Sequence, residues 1–321
     1  MGEKFIAGKV AKVVAFLLVA LSAAACLSLG VVAFASGRFV AASGDASMQE
    51  DAAGAWQMLR AKEDNFSIQL PVPPEIRGNG QYRLGAADGE FIDEERVASA
   101  YHKGVVYLVR MYTTSDPKRL FSKYPSVMRF DDAEQSNVRL GSIEGKQYVK
   151  RGEGYVHLIR LFPTKKRLYV LEAAARNGSN TAIERFMSSL TLGDAGTTPS
   201  AAAPSVAATT NATQAAPLPV ASDQEPLSEK EVTRPAIIIY RPQPRYPAAA
   251  KQMRASGSVK YSVVLSPSGE VTDIRLAQPQ ARSLSGATDE VVKSIKFLPA
   301  EKDGRLVPQR SEVLYHFELR W

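Results

Sequence analysis

Alternation of apolar and polar positions is cleanest at the C-terminal end of the chain. Val307, Ser311, Val313, Tyr315, Phe317, Leu319 and Trp321 fall on one face of an extended run, and Arg310, Glu312, His316, Glu318 and Arg320 on the other. That is the period of a half-buried strand. Residues 258–265 alternate in the same way, with Val259, Tyr261, Val263 and Leu265 on one side. Ser266-Pro267-Ser268-Gly269 then supplies a turn, so 270–277 should fold back as a hairpin partner. A short helix is predicted over 248–254. A second is expected with Ser285 as its cap, Asp289 and Glu290 in its first turn, and Val291, Val292 and Ile295 as its apolar stripe. Phe297-Leu298-Pro299-Ala300 should end that helix, and Asp303-Gly304 turns the chain into the closing strand. A small sheet with one or two helices on one face is an α+β module, here spanning 234–321.

A second folded region is predicted over 65–192. Phe66, Ile68 and Leu70 alternate and stop at Pro71, and further strands are expected at 90–98, 105–112, 146–150, 155–162 and 167–175. Asp116-Pro117 opens a helix to about Lys123. Asn180 or Thr181 caps a closing helix striped by Ile183, Phe186, Met187 and Leu190. The pattern describes an α+β domain built on an antiparallel sheet. Residues 39–64 read as a tether with one amphipathic patch at 55–61. Residues 193–233, rich in Ala, Pro, Thr and Ser, have too little apolar content to bury a core and read as a disordered linker.

The N-terminal pattern is different in kind. Residues 13–36 carry no charge, and at roughly 1.5 Å per residue a helix of that length covers a bilayer core of about 30 Å. Lys4, Lys9 and Lys12 precede it, which places the N-terminus in the cytoplasm and the chain after Arg38 outside. Ala33-Phe34-Ala35 has the form of a cleavage site and Ala24-Ala25-Cys26 resembles a lipoprotein site. The apolar run is longer than a cleaved signal's core and continues past Cys26, which favours a retained anchor. The expected location is the inner membrane, single-pass, with residues 1–38 as cytoplasmic tip and anchor.

The remaining composition narrows the function. One cysteine, Cys26, excludes an intrachain disulfide. The net charge of +7 would suggest nucleic acid for a cytoplasmic protein, but the anchor places both basic folds elsewhere and no nucleic-acid partner is expected. His102, His157 and His316 lie far apart with no second ligand at metal spacing, so each reads as a surface or packed imidazole and no metal site is expected. Asp93-Glu94-Glu95 and Asp131-Asp132 read as solvated turns. Gly78-Asn79-Gly80 and Gly152-Glu153-Gly154 lack the helix start that a phosphate site requires. No catalytic residue, no cofactor and no enzymatic activity are expected.

The order Tyr246-Pro247, Gly257-x-Val259, Gly269-Glu270-Val271, Phe297-x-Pro299-Ala300, Gly304 and a long closing strand resembles the C-terminal domain of the TonB energy transducers, over about a quarter of the chain. The resemblance implies that this module grips an extended peptide of an outer-membrane TonB-dependent receptor by strand addition, through Arg310, Ser311, Glu312, Val313, Leu314, Tyr315, His316 and Phe317. It also implies that the anchor meets an ExbB/ExbD-type proton channel. Family anchors often carry a histidine in the membrane helix, whereas 13–36 offers only Ser22, Cys26 and Ser28 as polar groups. The alternative is therefore a periplasmic binding or envelope-scaffold protein that keeps the fold without energy transduction. A plainer reading of the closing strand itself is that its polar face is solvated and its edge covered by residues before Tyr246. The middle region is similar in pattern to PsbP- and DcrB-type domains, which implies binding rather than catalysis.

Overall fold

A computed structural model describes residues 46–50, 56–79, 82–84, 90–152, 154–176, 181–193, 224–245, 248–277, 282–285 and 288–317. The apolar run at 13–36, the Tyr246-Pro247 pair and residues 318–321 lie outside them. Among the described residues no helix is long and apolar enough to cross a membrane.

The middle region is mostly sheet. It opens with β1 (Ala46–Glu50), β2 (Gln57–Ala61) and β3 (Phe66–Leu70), followed by β4 (Glu75–Asn79), β5 (Tyr82–Leu84), β6 (Glu90–Ile92), β7 (Glu94–His102) and β8 (Val105–Thr113). Helix α1 (Pro117–Val127) leads to β9 (Glu134–Leu140), β10 (Ile143–Gly152), β11 (Tyr155–Pro163) and β12 (Arg167–Arg176). Helix α2 (Thr181–Ser188) and the short β13 (Thr191–Leu192) close the region. A seven-stranded antiparallel sheet runs β4-β7-β8-β12-β11-β10-β9, and a four-stranded one runs β1-β2-β3-β13. The local rules act as the sequence predicts at both helices. Asp116 Oδ1 accepts from the Arg119 amide at 2.9 Å, with Pro117 at the first helical position, and Ile183, Phe186 and Met187 turn the stripe of α2 onto the sheet. The Phe186 ring meets Tyr107 edge-on at 5.2 Å.

The fold starts earlier than the apolar pattern indicates. Trp56 and Leu59 are buried in the main core, and β2 pairs β3 with Leu59 opposite Ile68. Residues 57–61 of the patch therefore form a strand of the folded domain. Its apolar residues mix a spacing of three with a spacing of two, which in so short a window does not separate helix from strand. Strand β8 is apolar almost throughout because it is central and covered on both faces.

The terminal module comprises β14 (Ile237–Tyr240), α3 (Ala248–Gln252), β15 (Gly257–Leu265), β16 (Val271–Leu276), α4 (Arg282–Ser285), α5 (Asp289–Lys293), β17 (Lys296–Leu298), β18 (Ala300–Lys302), β19 (Arg305–Val307) and β20 (Gln309–Phe317). Its main sheet is antiparallel in the order β16-β15-β20, with β14–β17 and β18–β19 as separate pairs. Two expectations are corrected. The helix predicted with Ser285 as its cap instead starts at Asp289 with Thr288 preceding it, and Ser285 is the last residue of the separate helix α4. Residues 296–302 form strands rather than the end of a helix, because Lys296–Leu298 takes β14 as a partner. Phe297 points into the module's core and Leu298 into the adjoining one, the alternation of a strand buried on both faces.

The junction between α4 and α5 is fixed by Tyr261 of β15. Its hydroxyl donates to Asp289 Oδ1 at 2.6 Å, lies 2.5 Å from Thr288 Oγ1, and reaches the Ser285 carbonyl at 3.2 Å. Burial and the neighbouring Asp289 raise the phenol above its ordinary pKa. Tyr261→Phe removes the donor but keeps the ring. We expect a loss of about 1–3 kcal/mol in urea unfolding, the cost of unpaired polar groups at a buried site.

The two folds pack directly on one another. The face of the seven-stranded sheet opposite α2 is covered at one end by α1 and at the other by β14 and β17, where Tyr240 and Leu298 join Val97, Val106, Leu108 and Ala174 in one apolar cluster. Arg176 donates to the Pro299 carbonyl at 2.9 Å and to the Pro235 carbonyl at 2.5 Å. Gly269 has φ +83°, and a Cβ there would collide with the ring of Tyr101 in the middle region. Glycine at that turn thus serves both the backbone and the contact. Glu75 of β4 bonds Ser294 Oγ and pairs with Lys296 Nζ at 3.0 Å and Arg77 Nε at 2.7 Å. Burial opposes its charge, yet Ser294, Lys296 and Arg77 outweigh burial and hold the carboxyl below its ordinary value.

A depressed folded-state pKa stabilises the contact above the ordinary carboxylate value of about 4.3, and the contribution disappears as pH falls through the folded value. We therefore expect proteolysis at 224–245 to accelerate below about pH 4. Glu75→Gln should show the faster cleavage already at neutral pH. Equal rates for parent and variant across the range would contradict the pairing.

Candidate functional site

The candidate site is the outer edge of β20, and its geometry follows from the ladder. In an antiparallel pair each residue's N–H and C=O point to the same side, and successive residues alternate. Strand β20 pairs β15 with Ser311 opposite Val263, Val313 opposite Tyr261, Tyr315 opposite Val259 and Phe317 opposite Gly257. On the side away from β15, the Leu227 amide donates to the Pro308 carbonyl at 3.0 Å and the Arg310 amide donates to the Leu227 carbonyl at 2.8 Å. Arg241 Nη1 donates to the Leu314 carbonyl at 3.3 Å. These contacts fix the phase. Arg310, Glu312, Leu314 and His316 turn their backbone groups outward, while Ser311, Val313, Tyr315 and Phe317 turn theirs inward to β15.

Side chains alternate across the other axis. Val313, Tyr315 and Phe317 are buried in the module's core, as the apolar pattern predicts. On the opposite face Arg310 pairs with Asp273 at 3.0 Å, Glu312 with Lys260 at 2.7 Å, and His316 Nδ1 lies 2.7 Å from Ser258 Oγ. Hydrogen bonds from Arg275 and Arg310 hold the Asp273 carboxyl below its ordinary value. Leu314 is 37% exposed between these polar groups, an apolar side chain set beside outward-facing backbone. The Arg241 guanidinium lies 5.7 Å from the Tyr315 ring, and burial pushes the Tyr315 phenol up to about 12.

The motif residues support this edge from behind. Gly257 begins β15, and Gly304 turns β18 into β19 with φ +72° beside Asp303 at φ +51°. Phe297 is fully buried, and the Pro299 carbonyl accepts from Arg176. Tyr246 and Pro247 lie outside the described residues.

Sequence reading missed two features of the edge. Leu227, inside the predicted linker, forms a parallel bridge with Gln309, and Arg241 reaches the middle of β20. The expectation that residues before Tyr246 cover the edge is thus met at Pro308–Arg310 and at Leu314. Neither contact has a local sequence pattern, since one is a single-residue bridge and the other a side chain reaching across space.

A second cluster lies in the middle region, on the sheet face that the terminal module covers. Arg110 Nε is 3.0 Å from Glu172 Oε1, and His157 Nε2 is 3.0 Å from Glu172 Oε2, all three residues being buried. Burial opposes the Glu172 charge, but Arg110 and His157 hold the carboxyl below its ordinary value. The Arg110 guanidinium sits 4.8 Å from the Tyr240 ring of the terminal module. His157 is a packed imidazole, edge-on to Phe130 at 5.8 Å. Among the described residues no group of three or more His, Cys, Asp or Glu stands together as a metal site.

Residues 242–319 match the family described as the Gram-negative bacterial TonB protein C-terminal. The match begins just after β14 and takes in the whole of β20, while the middle region lies outside it. The solution NMR structure of the Pseudomonas aeruginosa TonB C-terminal domain is similar at 18% identity, covering 27% of this chain and 88% of that one with a TM-score of 0.24. No curated protein matches the chain.

Proposed function

Starting from a terminal module of TonB type, we propose that the protein is an inner-membrane-anchored periplasmic adaptor. It binds an extended peptide of an outer-membrane TonB-dependent receptor by adding it as a strand to β20, and it couples inner-membrane energy to transport through that receptor. The observation that carries the reading is the row of outward backbone groups at Glu312, Leu314 and His316, where the Leu314 carbonyl is met by the Arg241 side chain, beside the exposed Leu314 side chain. An extended chain satisfies such a row whatever its side chains, and the neighbouring side chains then select among partners. The anchor is the uncharged run at 13–36, with its lysines on the cytoplasmic side. Through it the chain meets an ExbB/ExbD-type channel.

Two experiments test this reading. Titration of the protein with a synthetic peptide from the N-terminal segment of a TonB-dependent receptor should give saturable binding, and the absence of binding across a panel of such peptides would refute strand capture. Intact-mass measurement of the membrane-extracted protein should give a chain that keeps residues 13–36. A mature chain starting at Ser36 or at a lipid-modified Cys26 would refute the retained anchor.

A further inference from the structure

The outer edge of β20 carries a strand partner from its own chain. Leu227 makes two ladder bonds there, accepting from Arg310 and donating to Pro308. The segment that presents it is ordered by contacts of its own. Glu231 Oε2 accepts from the Ser228 amide at 2.7 Å and from Ser228 Oγ at 2.6 Å, closing a single 3-10 turn at Glu229–Glu231. Beyond it, Arg234 and Glu301 exchange both backbone bonds at 2.9 Å and pair through their side chains at 3.2 Å. The Ala236 amide donates to Gln309 Oε1 at 2.8 Å. The arm is therefore tied firmly to β18 at its C-terminal end, while only Leu227 engages the β20 ladder.

That asymmetry is what a removable cover requires. Leu227 and Arg310 are half-buried and Pro308 is buried, but two backbone bonds still contribute only modest net stability, while a tethered segment competes at high effective concentration. A peptide pairing along the full length of β20 needs the same Arg310 donor and Pro308 acceptor that Leu227 occupies. We infer that residues 224–233 are a displaceable internal occupant of the β20 edge, released when a receptor peptide pairs along that strand. The inference rests on the reading of this edge as the peptide site, and it makes binding an exchange of one strand partner for another.

The test uses the full chain and Leu227→Pro, which removes the donor to Pro308. A second variant, Glu231→Ala, loosens the turn without touching the edge. Amide exchange reads the cover without any ligand. The Arg310 amide should exchange roughly 100-fold faster than the Val313 amide in the parent, by local opening. In Leu227→Pro the carbonyl that accepts from Arg310 remains but the bond to Pro308 is gone, so Arg310 should exchange faster still while Val313 keeps its protection. Titration with the receptor-segment peptide should then give affinities roughly 5- to 10-fold tighter for Leu227→Pro than for the parent, with a smaller gain for Glu231→Ala.

Arg310 exchanging as slowly as Val313 would make the arm an integral strand and overturn the inference. Equal peptide affinity in parent and Leu227→Pro would overturn it as well. If no form binds any peptide, strand capture fails as the function, and the exchange rates alone decide whether the arm opens.

Discussion

Val313→Pro unfolds the terminal module, whereas Glu312→Pro leaves it folded and unable to take up a peptide. The two positions are adjacent, and the difference comes only from which way their backbone groups point. Val313 is 1% exposed and directs its N–H at Tyr261 on the central strand. Proline there removes that donor, strands a buried acceptor at a cost of about 1–3 kcal/mol, and forces its ring into the β15 ladder. It also removes a core side chain. Glu312 directs its N–H away from the sheet, so proline at that position leaves every β15–β20 bond in place. The substitution does break the ion pair with Lys260, in which the Glu312 side chain is 66% exposed, and such exposed pairs contribute about 0.2–1 kcal/mol. Circular dichroism should therefore show a native spectrum for Glu312→Pro and loss of module structure for Val313→Pro. Peptide titration of Glu312→Pro should show affinity reduced by at least about tenfold, because one ladder bond is gone and the ring projects into the partner's path. Two folded variants that bind as well as the parent would remove strand addition from the account.

Glu172→Ala is the most destabilising single change expected in the middle region, at about 3–5 kcal/mol. Glu172 is 1% exposed and faces both Arg110 and His157. Removing the carboxylate leaves the buried Arg110 charge with only the weaker attraction of Glu95, and that poorly compensated charge, more than the lost attraction, sets the size of the effect. The double change Arg110→Ala with Glu172→Ala should cost clearly less than the sum of the two single changes, because the second substitution removes a charge already stranded. Urea unfolding of the four proteins checks this. Additive costs would mean that the two groups act independently. Since Arg110 also lies against the Tyr240 ring, the single variants should in addition expose 224–245 to proteolysis.

The alternation of Val313, Tyr315 and Phe317, the alternation of Val259, Tyr261 and Val263, and the turn at Gly269 place β15, β16 and β20 from sequence alone. These strands have one buried and one polar face, and a period of two records that condition directly. Strand β9 was illegible because Glu134, Gln135, Ser136 and Asn137 are all exposed, so neither face leaves an apolar trace. The helix expected from Ser285 failed for a different reason. Its stripe of Val291 and Val292 is a real local signal, but the start is not at Ser285: Tyr261 binds the segment at Ser285, Thr288 and Asp289, and the helix begins only at Asp289. At the edge itself, the pattern identified which side chains of β20 face the core and carried no information on which amides face out. That phase lies in bonds to Leu227 and Arg241, residues remote in sequence. The Arg110–Glu172 pair was equally hidden, since its members sit on different strands inside otherwise apolar runs.

The central claim is that β20 takes its partner through backbone bonds on its outer side. Residue-resolved amide exchange of the full chain, with and without a saturating receptor-segment peptide, tests it most directly. The account predicts that Glu312, Leu314 and His316 gain protection when the peptide is added, while Ser311, Val313, Tyr315 and Phe317, already bonded to β15, do not change. Peptide binding that leaves Glu312, Leu314 and His316 exchanging as fast as before would contradict it.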